Sequence, residues 1–259
     1  MATKNQRPFS ILYEDDDIIA VNKSSGIAVC ADRWNYTKRR LDTLLAEFTG
    51  KRLFTVHRID SGTSGVVVFA KNAAAHRRLS IAFETRNVYK IYTAVVRGIP
   101  HWVETHCDAP LVVNGDKQHR TIIDKYRGKK SSTQFRLLSH AGDISLIEAA
   151  PESGRTHQIR VHIASLGHPI ICDTLYGRDK PLFLSSFKRN WRGDHFDERP
   201  LIERIALHAA KLTLPGRGSK EVLIEAPYPK DMAALIKQIG KLASPLSPPL
   251  SKQNAREGV

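Results

Sequence analysis

The sequence predicts an α+β fold, in which helices flank a central sheet that is mixed but mainly antiparallel. Predicted strands outnumber predicted helices, and the two do not alternate regularly as they would in a parallel α/β protein. The apolar content of 41% over 259 residues is enough for a substantial core. We therefore expect a globular protein with its helices packed against one sheet.

Short apolar runs bounded by turn residues predict the strands of this sheet. Residues 66–70 form a continuous apolar run, which indicates a strand that is buried on both faces. Residues 89–96 instead alternate with a period of two, so that Lys90 and Tyr92 share one face. The other predicted strands are residues 9–13, 18–22, 53–56, 121–123, 133–138, 144–149, 207–214 and 221–225.

Helical periodicity and capping residues predict four helices. The first has its apolar face between residues 41 and 48, and Gly50 is placed to end it. Asn72 suits the N-cap of the second. The last two helices are predicted at residues 156–166, where Gly167 suits the position after the end, and at residues 231–241.

The domain organisation that we predict is simple. Residues 11–240 are assigned to one catalytic domain, after an N-terminal extension of residues 1–10. Residues 241–259 are rich in Ser, Pro, Lys and Gln, a composition without enough apolar surface to offset the entropy lost on ordering. We expect them to form a flexible C-terminal tail.

An excess of positive charge is the strongest compositional signal. The 40 lysines and arginines exceed the 26 aspartates and glutamates, which leaves a net charge of +14. Such a field attracts polyanions, so nucleic acid is the leading partner class, although charge alone fits a merely basic protein equally well. No run approaches the roughly 20 apolar residues that span a bilayer, and no signal peptide is visible, so a cytoplasmic location is expected.

The three cysteines carry no obvious chemistry. Cys30, Cys107 and Cys172 are odd in number, far apart and not arranged as Cys-x-x-Cys. Neither a disulfide framework nor a thiolate zinc site is indicated. We expect reduced thiols buried as small apolar side chains.

The first segment whose residues could carry out catalysis is residues 57–65, between two predicted strands. Its glycines and hydroxyl residues beside Asp60 indicate a tight, hydrogen-bonded loop. Asp60 could be an ordinary turn aspartate that binds nearby amides. Alternatively, the loop is a rigid mount that presents one carboxylate to a cleft, with Arg58 on the same side. The spacing does not decide between these.

The second such segment is residues 154–162, at the predicted start of a helix. Free amides at a helix N-terminus, together with Arg155, Arg160 and His157, suit an anionic group such as a phosphate or a carboxylate. His157 and His162 are not spaced four residues apart, and no glutamate stands beside them as in a zinc protease. A metal site is therefore not indicated. The pair of Lys90 and Tyr92 is a third feature, although a core tyrosine beside a snorkelling lysine is the commoner situation.

The order of these segments resembles that of the RluA-type pseudouridine synthases. The resemblance runs from about Ile11 to Pro229. It rests on residues 57–60 (His-Arg-Ile-Asp), 63–65 (Thr-Ser-Gly), Lys90 with Tyr92, Gly98, 154–162 (Gly-Arg-Thr-His-Gln-Ile-Arg-Val-His), 168–170 (His-Pro-Ile), Asp173, 175–177 (Leu-Tyr-Gly) and 207–209 (Leu-His-Ala). Residues 11–15 and 23–26 also resemble the start of that family, although Ser24 or Ser25 stands where many relatives have proline.

This resemblance implies a single catalytic domain with an active cleft across the middle of its sheet. It implies that Asp60 is the catalytic aspartate, Tyr92 the active-site tyrosine and Arg160 the basic residue that pairs with the aspartate. Arg58 matches an arginine that can help to displace the target base, and Leu207 belongs to the apolar surround of the pocket. We assign Arg155 and His157 to substrate binding.

The reaction that the resemblance implies converts a uridine of RNA to pseudouridine, and it requires neither a redox cofactor nor a metal. The expected partner is structured RNA, either ribosomal RNA or a transfer RNA stem-loop. About ten residues precede Ile11, so we expect the S4-like RNA-binding module of many relatives to be absent, which leans toward a small stem-loop such as an anticodon stem-loop. The protein is expected to be a monomer.

Two basic stretches are candidates for RNA contact, although each could be a solvated loop. The second contains aromatic residues that could stack on unpaired bases. The first comprises Lys117, His119, Arg120, Lys125, Arg127, Lys129 and Lys130, and the second comprises Lys180, Lys188, Arg189 and Arg192 with Phe183, Phe187 and Trp191.

Two other functions are compatible with parts of this pattern. A non-catalytic RNA-binding protein could retain the fold, but the combination of Asp60, Tyr92 and Arg160 argues against it. A glycosidase usually needs two carboxylates, whereas the segment around Asp60 offers one acid among cations. The number of acids that reach the Asp60 carboxylate separates these possibilities.

Overall fold

A large mixed sheet forms the centre of the molecule in the computed structural model, which describes residues 7–31, 39–177, 180–218 and 220–243. The strands are β1 (Phe9–Glu14), β2 (Ile18–Lys23), β3 (Phe54–Thr55), β4 (Ser64–Ala70), β5 (Tyr89–Arg97), β6 (Glu104–Cys107), β7 (Leu111–Val112), β8 (Ile122–Ile123), β9 (Thr133–Ala141), β10 (Ile144–Pro151), β11 (Leu207–Pro215) and β12 (Glu221–Glu225). The helices are α1 (Leu41–Thr49), α2 (Ala73–Glu84), α3 (Gln158–Ser165) and α4 (Lys230–Leu242).

The strand order confirms the predicted fold class. Ten strands form one sheet in the order β1-β2-β4-β11-β5-β10-β9-β6, with β12 beside β11 and β3 beside β4, while β7 and β8 form a separate ribbon. β4 and β11 pair in parallel, and the other strand pairs of the described chain are antiparallel. The fold is thus α+β with a mixed, mainly antiparallel sheet.

Strand β4 is buried along its whole length, as its continuous apolar run predicts. Val66 and Val68 pack in a cluster with Leu79 of α2. Val67 and Phe69 point to the opposite face and belong to the cluster that contains the leucines of α1. One helix therefore covers each face of this strand, which places β4 in the middle of the molecule.

A separate core surrounds β5, β9 and β10. Ile159 and Ile163 of α3 lie in this core, four residues apart on one helical face. Met232, Leu235 and Ile239 supply the buried face of α4. Helix α3 is thereby fixed against the sheet, with its N-terminal end free to face the centre.

The helix ends follow the local signals in three of four predicted places. Gly50 ends α1 in the left-handed conformation with a φ of 65°, and Gly167 follows α3 with a φ of 88°. Asn72 caps α2, because its side-chain oxygen accepts a hydrogen bond of 2.8 Å from the amide of Ala75. Helix α3 begins two residues later than predicted, since His157 has a φ of 57° and cannot lie within the helix.

Strands β6 and β7 were not predicted. β6 has the sequence Glu-Thr-His-Cys and alternates in burial without an apolar run, and β7 has only two residues. Both depend on neighbouring strands rather than on their own sequence pattern. A 3₁₀ turn at Leu184–Ser186 was also missed.

Gly65 is required where β4 meets β11. Its φ is 117°, and an added Cβ would overlap the backbone of Ala209 in β11. Only glycine allows the two strands to approach at this point. This contact holds the loop before β4 against the centre of the sheet.

The ends of the chain are described only in part. β1 begins at Phe9, inside the predicted extension, and α4 continues to Leu242, two residues into the predicted tail. Residues 1–6 and 244–259 lie outside the described residues, so both boundaries stay predictions. In the described part of the chain, no helix combines the length and apolarity needed to cross a membrane.

The cysteines agree with expectation at two of three positions. Cys107 and Cys172 are buried, but Cys30 is only half-buried, which contradicts the prediction of a buried side chain. Cys30 follows the short segment after β2 rather than lying within a strand. Its apolar neighbours cover it incompletely there.

Candidate active site

A cleft of about 590 Å³ opens across the middle of the sheet. All seven residues that the sequence analysis assigned to catalysis or substrate binding line it: Arg58, Asp60, Tyr92, Arg155, His157, Arg160 and Leu207. They come from the loop before β4, from β5 and β11, and from α3 and the segment that leads into it. The fold therefore brings together segments that are about 100 residues apart in sequence.

The loop that carries Asp60 is fastened to the segment after β2. The carbonyl oxygen of Ser61 accepts hydrogen bonds from the amide of Gly26 at 2.8 Å and from Lys23 Nζ at 3.0 Å. Ser25 Oγ donates to the carbonyl oxygen of Gly62 at 2.6 Å. The loop is thus held on the residues next to Asp60, which agrees with a rigid mount for the carboxylate.

Lys23 is the main support of this loop and was missed by sequence reasoning. Its side chain is fully buried, and Nζ also donates to the carbonyl oxygens of Ser24 and Ile27. Burial lowers the pKa of Lys23 to about 7, against the opposing effect of the Asp60 charge. A buried lysine that donates to three carbonyl oxygens is a structural feature that hydrophobic periodicity does not predict.

Arg160 joins two carboxylates through different atoms. Its Nη1 donates to Asp60 Oδ2 at 3.1 Å, while Nε and Nη2 both bind Asp173 at 2.8 Å. Asp173 is fully buried and also accepts from the backbone amides of Leu175 and Tyr176. Burial alone would lower the pKa of Arg160, but the hydrogen bonds and charge of Asp173 raise it above its ordinary value.

The exposure of the two carboxylates differs. Asp60 is 27% exposed and faces the cleft, whereas Asp173 is sealed beneath Arg160. Two carboxylates of the chain itself therefore occupy donors of Arg160. Arg155 and His157 are the other basic side chains of residues 154–162 that line the cleft.

His157 is positioned by a tyrosine that sequence reasoning left out. Its Nδ1 lies 3.0 Å from the hydroxyl of Tyr176, which also bonds the backbone N–H and C=O of Thr121. Its Nε2 is 3.9 Å from Asp60 Oδ2. Burial lowers the pKa of His157, against the charge of Asp60, so the imidazole is mainly neutral at pH 7.

Tyr92 and Leu207 lie on neighbouring strands. β5 pairs with β11 so that Ala209 stands opposite Tyr92 and Leu207 opposite Ala94. Burial raises the pKa of Tyr92, and the Asp60 charge raises it further, so the phenol stays protonated. These two strands thus give the cleft an apolar wall that includes the hydroxyl of Tyr92.

Cations dominate the rest of the lining. Arg58 is exposed at the rim, and Lys90 Nζ donates to the carbonyl oxygen of Ser153 at 3.1 Å. Burial, followed by the charge of Arg86, lowers the pKa of Lys90 to about 8. Nε of Arg155 is buried and has no hydrogen-bond partner among the described residues. The cleft suits an anionic ligand.

The acids near Asp60 do not form the flanking pair of a glycosidase. Asp173 reaches the same guanidinium but does not line the cleft. Glu84, the second carboxylate of the lining, is exposed at the end of α2. Among the described residues, no group of three or more histidine, cysteine or acidic side chains could hold a metal ion.

His57 and His162 are bonded to other groups of the fold and have structural roles. His57 Nε2 accepts from the amide of Val68 at 3.0 Å, and its ring stacks on Phe83 at 4.6 Å. His162 is fully buried and bonds Thr133 and other groups around it. Asp173 and Tyr176 were given no role from the sequence. Both belong to the motif after α3 (Asp173 and residues 175–177), which could have indicated that they take part in the site.

Comparison with known proteins gives consistent results. The model of the RNA pseudouridylate synthase family matches residues 17–165. A ribosomal large subunit pseudouridine synthase D of Zymomonas mobilis is 36% identical over 244 residues, which cover 90% of this chain and 73% of that protein. A synthase C of Vibrio cholerae is 37% identical over 222 residues, which cover 84% and 65%.

Solved structures agree with this assignment. The human RNA pseudouridylate synthase domain containing 1 is 28% identical and superposes with a TM-score of 0.67, over 88% of this chain and 87% of that one. The human domain containing 4 has a TM-score of 0.68 over 89% and 92%, and at 23% identity it supports the fold alone. The chain belongs to the RNA pseudouridylate synthase family, whose members are isomerases that act on uridine in RNA.

Proposed function

We propose that this protein isomerises specific uridines of structured RNA with Asp60 as the catalytic carboxylate. The observation that carries the proposal is one partly exposed carboxylate on a fastened loop, paired with Arg160 and surrounded by cations in a cleft. The names of the Zymomonas and Vibrio relatives make large-subunit ribosomal RNA the first substrate to test. A transfer RNA stem-loop is the second.

Asp60 is suited to act on the target nucleotide because Arg160 neutralises its charge while part of the carboxylate stays exposed to the cleft. The guanidinium of Arg160 stabilises the carboxylate at 3.1 Å, and Asp173 holds that guanidinium in place. The exposed part of Asp60 faces the substrate. Arg160 and Asp173 thus position the carboxylate, and Asp60 itself contacts the reacting nucleotide.

Tyr92 is placed to handle the detached base. During the reaction the bond from N1 to C1′ breaks, the uracil turns, and C5 bonds to C1′. The C5 proton leaves to solvent and N1 takes up one proton, so that product and substrate have the same composition. A protonated phenol against an apolar wall that includes Leu207 can stack on the uracil and take part in the proton transfer. No oxidation occurs and no atom is imported, so the proposal needs no cofactor.

The target uridine must leave its stack before C1′ and C5 can be reached, at a cost of a few kcal/mol. Arg58, exposed at the rim, can occupy the position that the base vacates. Arg155 and His157 face the nucleotide from the opposite segment, where contacts to phosphate would offset part of that cost. We propose that the protein acts as a monomer.

The release of a labelled hydrogen tests this reaction. RNA carrying tritium at uridine C5 should lose its label to water in step with product formation, in buffer that contains a chelator and no added cofactor. The RNA backbone should stay intact. Unmodified large-subunit ribosomal RNA and transfer RNA transcripts are assayed separately, with Asp60→Asn as the matched control.

Each other result would overturn a part of the proposal. Free uracil would indicate a glycosidase, and strand scission would indicate a nuclease. Loss of activity in chelator would indicate a metal-dependent reaction. Absence of release on both RNA classes and on total cellular RNA would indicate a binding protein.

A further inference from the structure

An arm of basic character projects from the wall that carries His157. We call residues 110–131 the basic arm; it contains β7 and β8 and carries six lysines and arginines against two aspartates. Both aspartates are already paired, Asp116 with Arg120 and Asp124 with Arg127, at 2.7 Å each. The lysines of the arm are exposed and have no ion-pair partner among the described residues: Lys117, Lys125, Lys129 and Lys130.

The root of the arm is bonded to the wall of the cleft. The backbone of Thr121 bonds Tyr176, whose hydroxyl also contacts His157. Arg120 Nη1 donates to the carbonyl oxygen of Leu175 at 3.3 Å. At the other side of the root, Ser131 donates to the carbonyl oxygen of Ala109 at 2.6 Å. An RNA strand that leaves the cleft over this wall meets the arm next.

Tyr126 stands at the tip of the arm and is 99% exposed. It is held there by a tight turn, because Asp124 Oδ1 accepts from the amides of both Tyr126 and Arg127 at 2.9 Å. The amide of Gly128 closes the turn on the carbonyl oxygen of Asp124. An aromatic ring is therefore presented to solvent between Lys125 and Arg127, with its backbone restrained.

The second basic stretch has a different surface. Phe187 is buried in the core, which corrects the prediction that it could stack on a base, and Trp191 packs against His195. Phe196 is also 99% exposed, but three acids surround it in sequence: Asp194, Asp197 and Glu198. Exposed acids, Asp194 and Asp197, stand close to Phe196 on both sides, whereas Lys125 and Arg127 flank Tyr126 directly, so the surroundings of Tyr126 attract a phosphate backbone more strongly.

We propose that Tyr126 stacks on an unpaired nucleobase of the RNA outside the cleft, while the lysines of the basic arm bind the adjoining phosphates. An exposed aromatic ring on a backbone turn among cations is the combination that single-stranded nucleic acid binds without regard to sequence. The inference rests on the proposed function, since it assumes that the target nucleotide occupies the cleft beside the arm.

Binding of two short fluorescent RNAs to the full chain tests this inference. One RNA is a stem-loop with an unpaired loop, and the other is a perfectly paired duplex of the same length. Tyr126→Ala should bind the stem-loop about tenfold more weakly, with unchanged affinity for the duplex, because stacking needs an unpaired base. Tyr126→Phe should bind like the wild type, and so should Phe196→Ala, the matched control.

Crosslinking gives an independent readout. Stem-loop RNA with 5-iodouridine in its loop should crosslink under ultraviolet light to the peptide that contains Tyr126. Equal affinity of the wild type and Tyr126→Ala, an equal loss on the duplex, an equal loss in Tyr126→Phe, or no crosslink at this peptide would each overturn the inference. If the tip binds a protein partner instead of RNA, the wild type and Tyr126→Ala will bind the stem-loop with equal affinity.

The failure of this inference differs from the failure of the proposed function. If the wild type releases tritium from RNA but Tyr126→Ala binds the stem-loop normally, only the arm is wrongly assigned. If the wild type releases no tritium, the proposed reaction fails whatever the arm binds. The melting temperature of Tyr126→Ala should equal that of the wild type, since the exposed ring packs on nothing.

Discussion

Arg160 in the cleft and Lys129 on the basic arm are both cationic, but their surroundings are opposite. Arg160 is 9% exposed and divides its donors between Asp60 and Asp173. Lys129 is exposed and has no ion-pair partner among the described residues. A buried and paired charge fixes the position of other groups, whereas an exposed and unpaired one attracts phosphate over a distance of about 10 Å. The cleft should therefore control turnover and the arm should control affinity.

Asp60→Asn gives the sharpest separation of these two roles. We expect it to abolish turnover, because the amide cannot replace the carboxylate, and to leave RNA affinity within about tenfold of the wild type, because phosphate contacts dominate binding. Tritium release and equilibrium binding measure the two effects. Residual turnover above a few per cent would remove Asp60 from its catalytic role.

Arg160→Met should reduce both turnover and stability. It leaves Asp173 buried without its cation, which costs roughly 3–5 kcal/mol of unfolding free energy in comparable pairs. Denaturant unfolding and tritium release are the measurements. Arg136→Met is the matched control, since its pair with Glu148 is half-exposed and is expected to contribute less than about 1 kcal/mol. An active Arg160→Met of normal stability would refute the pairing.

Tyr92→Phe removes one hydroxyl and keeps the ring. If the phenol takes part in proton transfer, the rate at saturating RNA falls while RNA affinity is retained. Rapid-quench measurement of a single turnover separates the rate at saturating RNA from the RNA affinity. An unchanged rate would assign Tyr92 to stacking on the base.

Reversal of charge on the basic arm should act on affinity alone. The double variant Lys129→Glu, Lys130→Glu is expected to flatten the dependence of log K on log salt by about two units, if each lysine meets one phosphate. Arg189→Glu should flatten it less, because three acids follow Arg189 in its loop. Titrations over a range of salt concentrations compare the variants. A slope that neither variant changes would locate the RNA contacts elsewhere.

The smallest expected effect is a dependence of affinity on pH that originates in the cleft. The pKa of Lys90 is lowered to about 8, so its positive charge is present at pH 7 and is lost as the pH rises through that value. RNA affinity should therefore fall by a few-fold from pH 7 to pH 9. Lys90→Arg keeps its charge over this range and should remove that fall. An identical pH profile for both proteins would exclude Lys90 from RNA binding.

Local sequence patterns predicted helices and strands well where interactions between residues close in sequence determine them. The buried run of β4, the N-cap at Asn72 and the glycines after α1 and α3 act through neighbours a few residues away. Strand β6 and the late start of α3 were missed, because each depends on a partner strand or on an unusual backbone conformation at His157.

The candidate site came from the order of motifs rather than from spacing. Residue spacing left Asp60 as either a turn residue or a mounted carboxylate, and the family resemblance favoured the second. The contact of Asp60 with Arg160 spans 100 residues of sequence, so no periodicity could reveal it. The contacts of Lys23 with Ser61 and of Tyr176 with Thr121 also join distant segments, so the motifs that contain these two residues did not reveal their positioning roles.

By itself, the sequence determined the fold class through local periodicity. Its ordered motifs determined the family and, through that resemblance, seven of the residues that line the cleft. Only the tertiary structure decided which charges are available to RNA. It sealed Asp173 under Arg160, buried Phe187, and left Tyr126 exposed on an arm whose lysines have no ion-pair partner among the described residues. Exposure and charge pairing depend on contacts between distant segments, and the identity of a residue does not specify them.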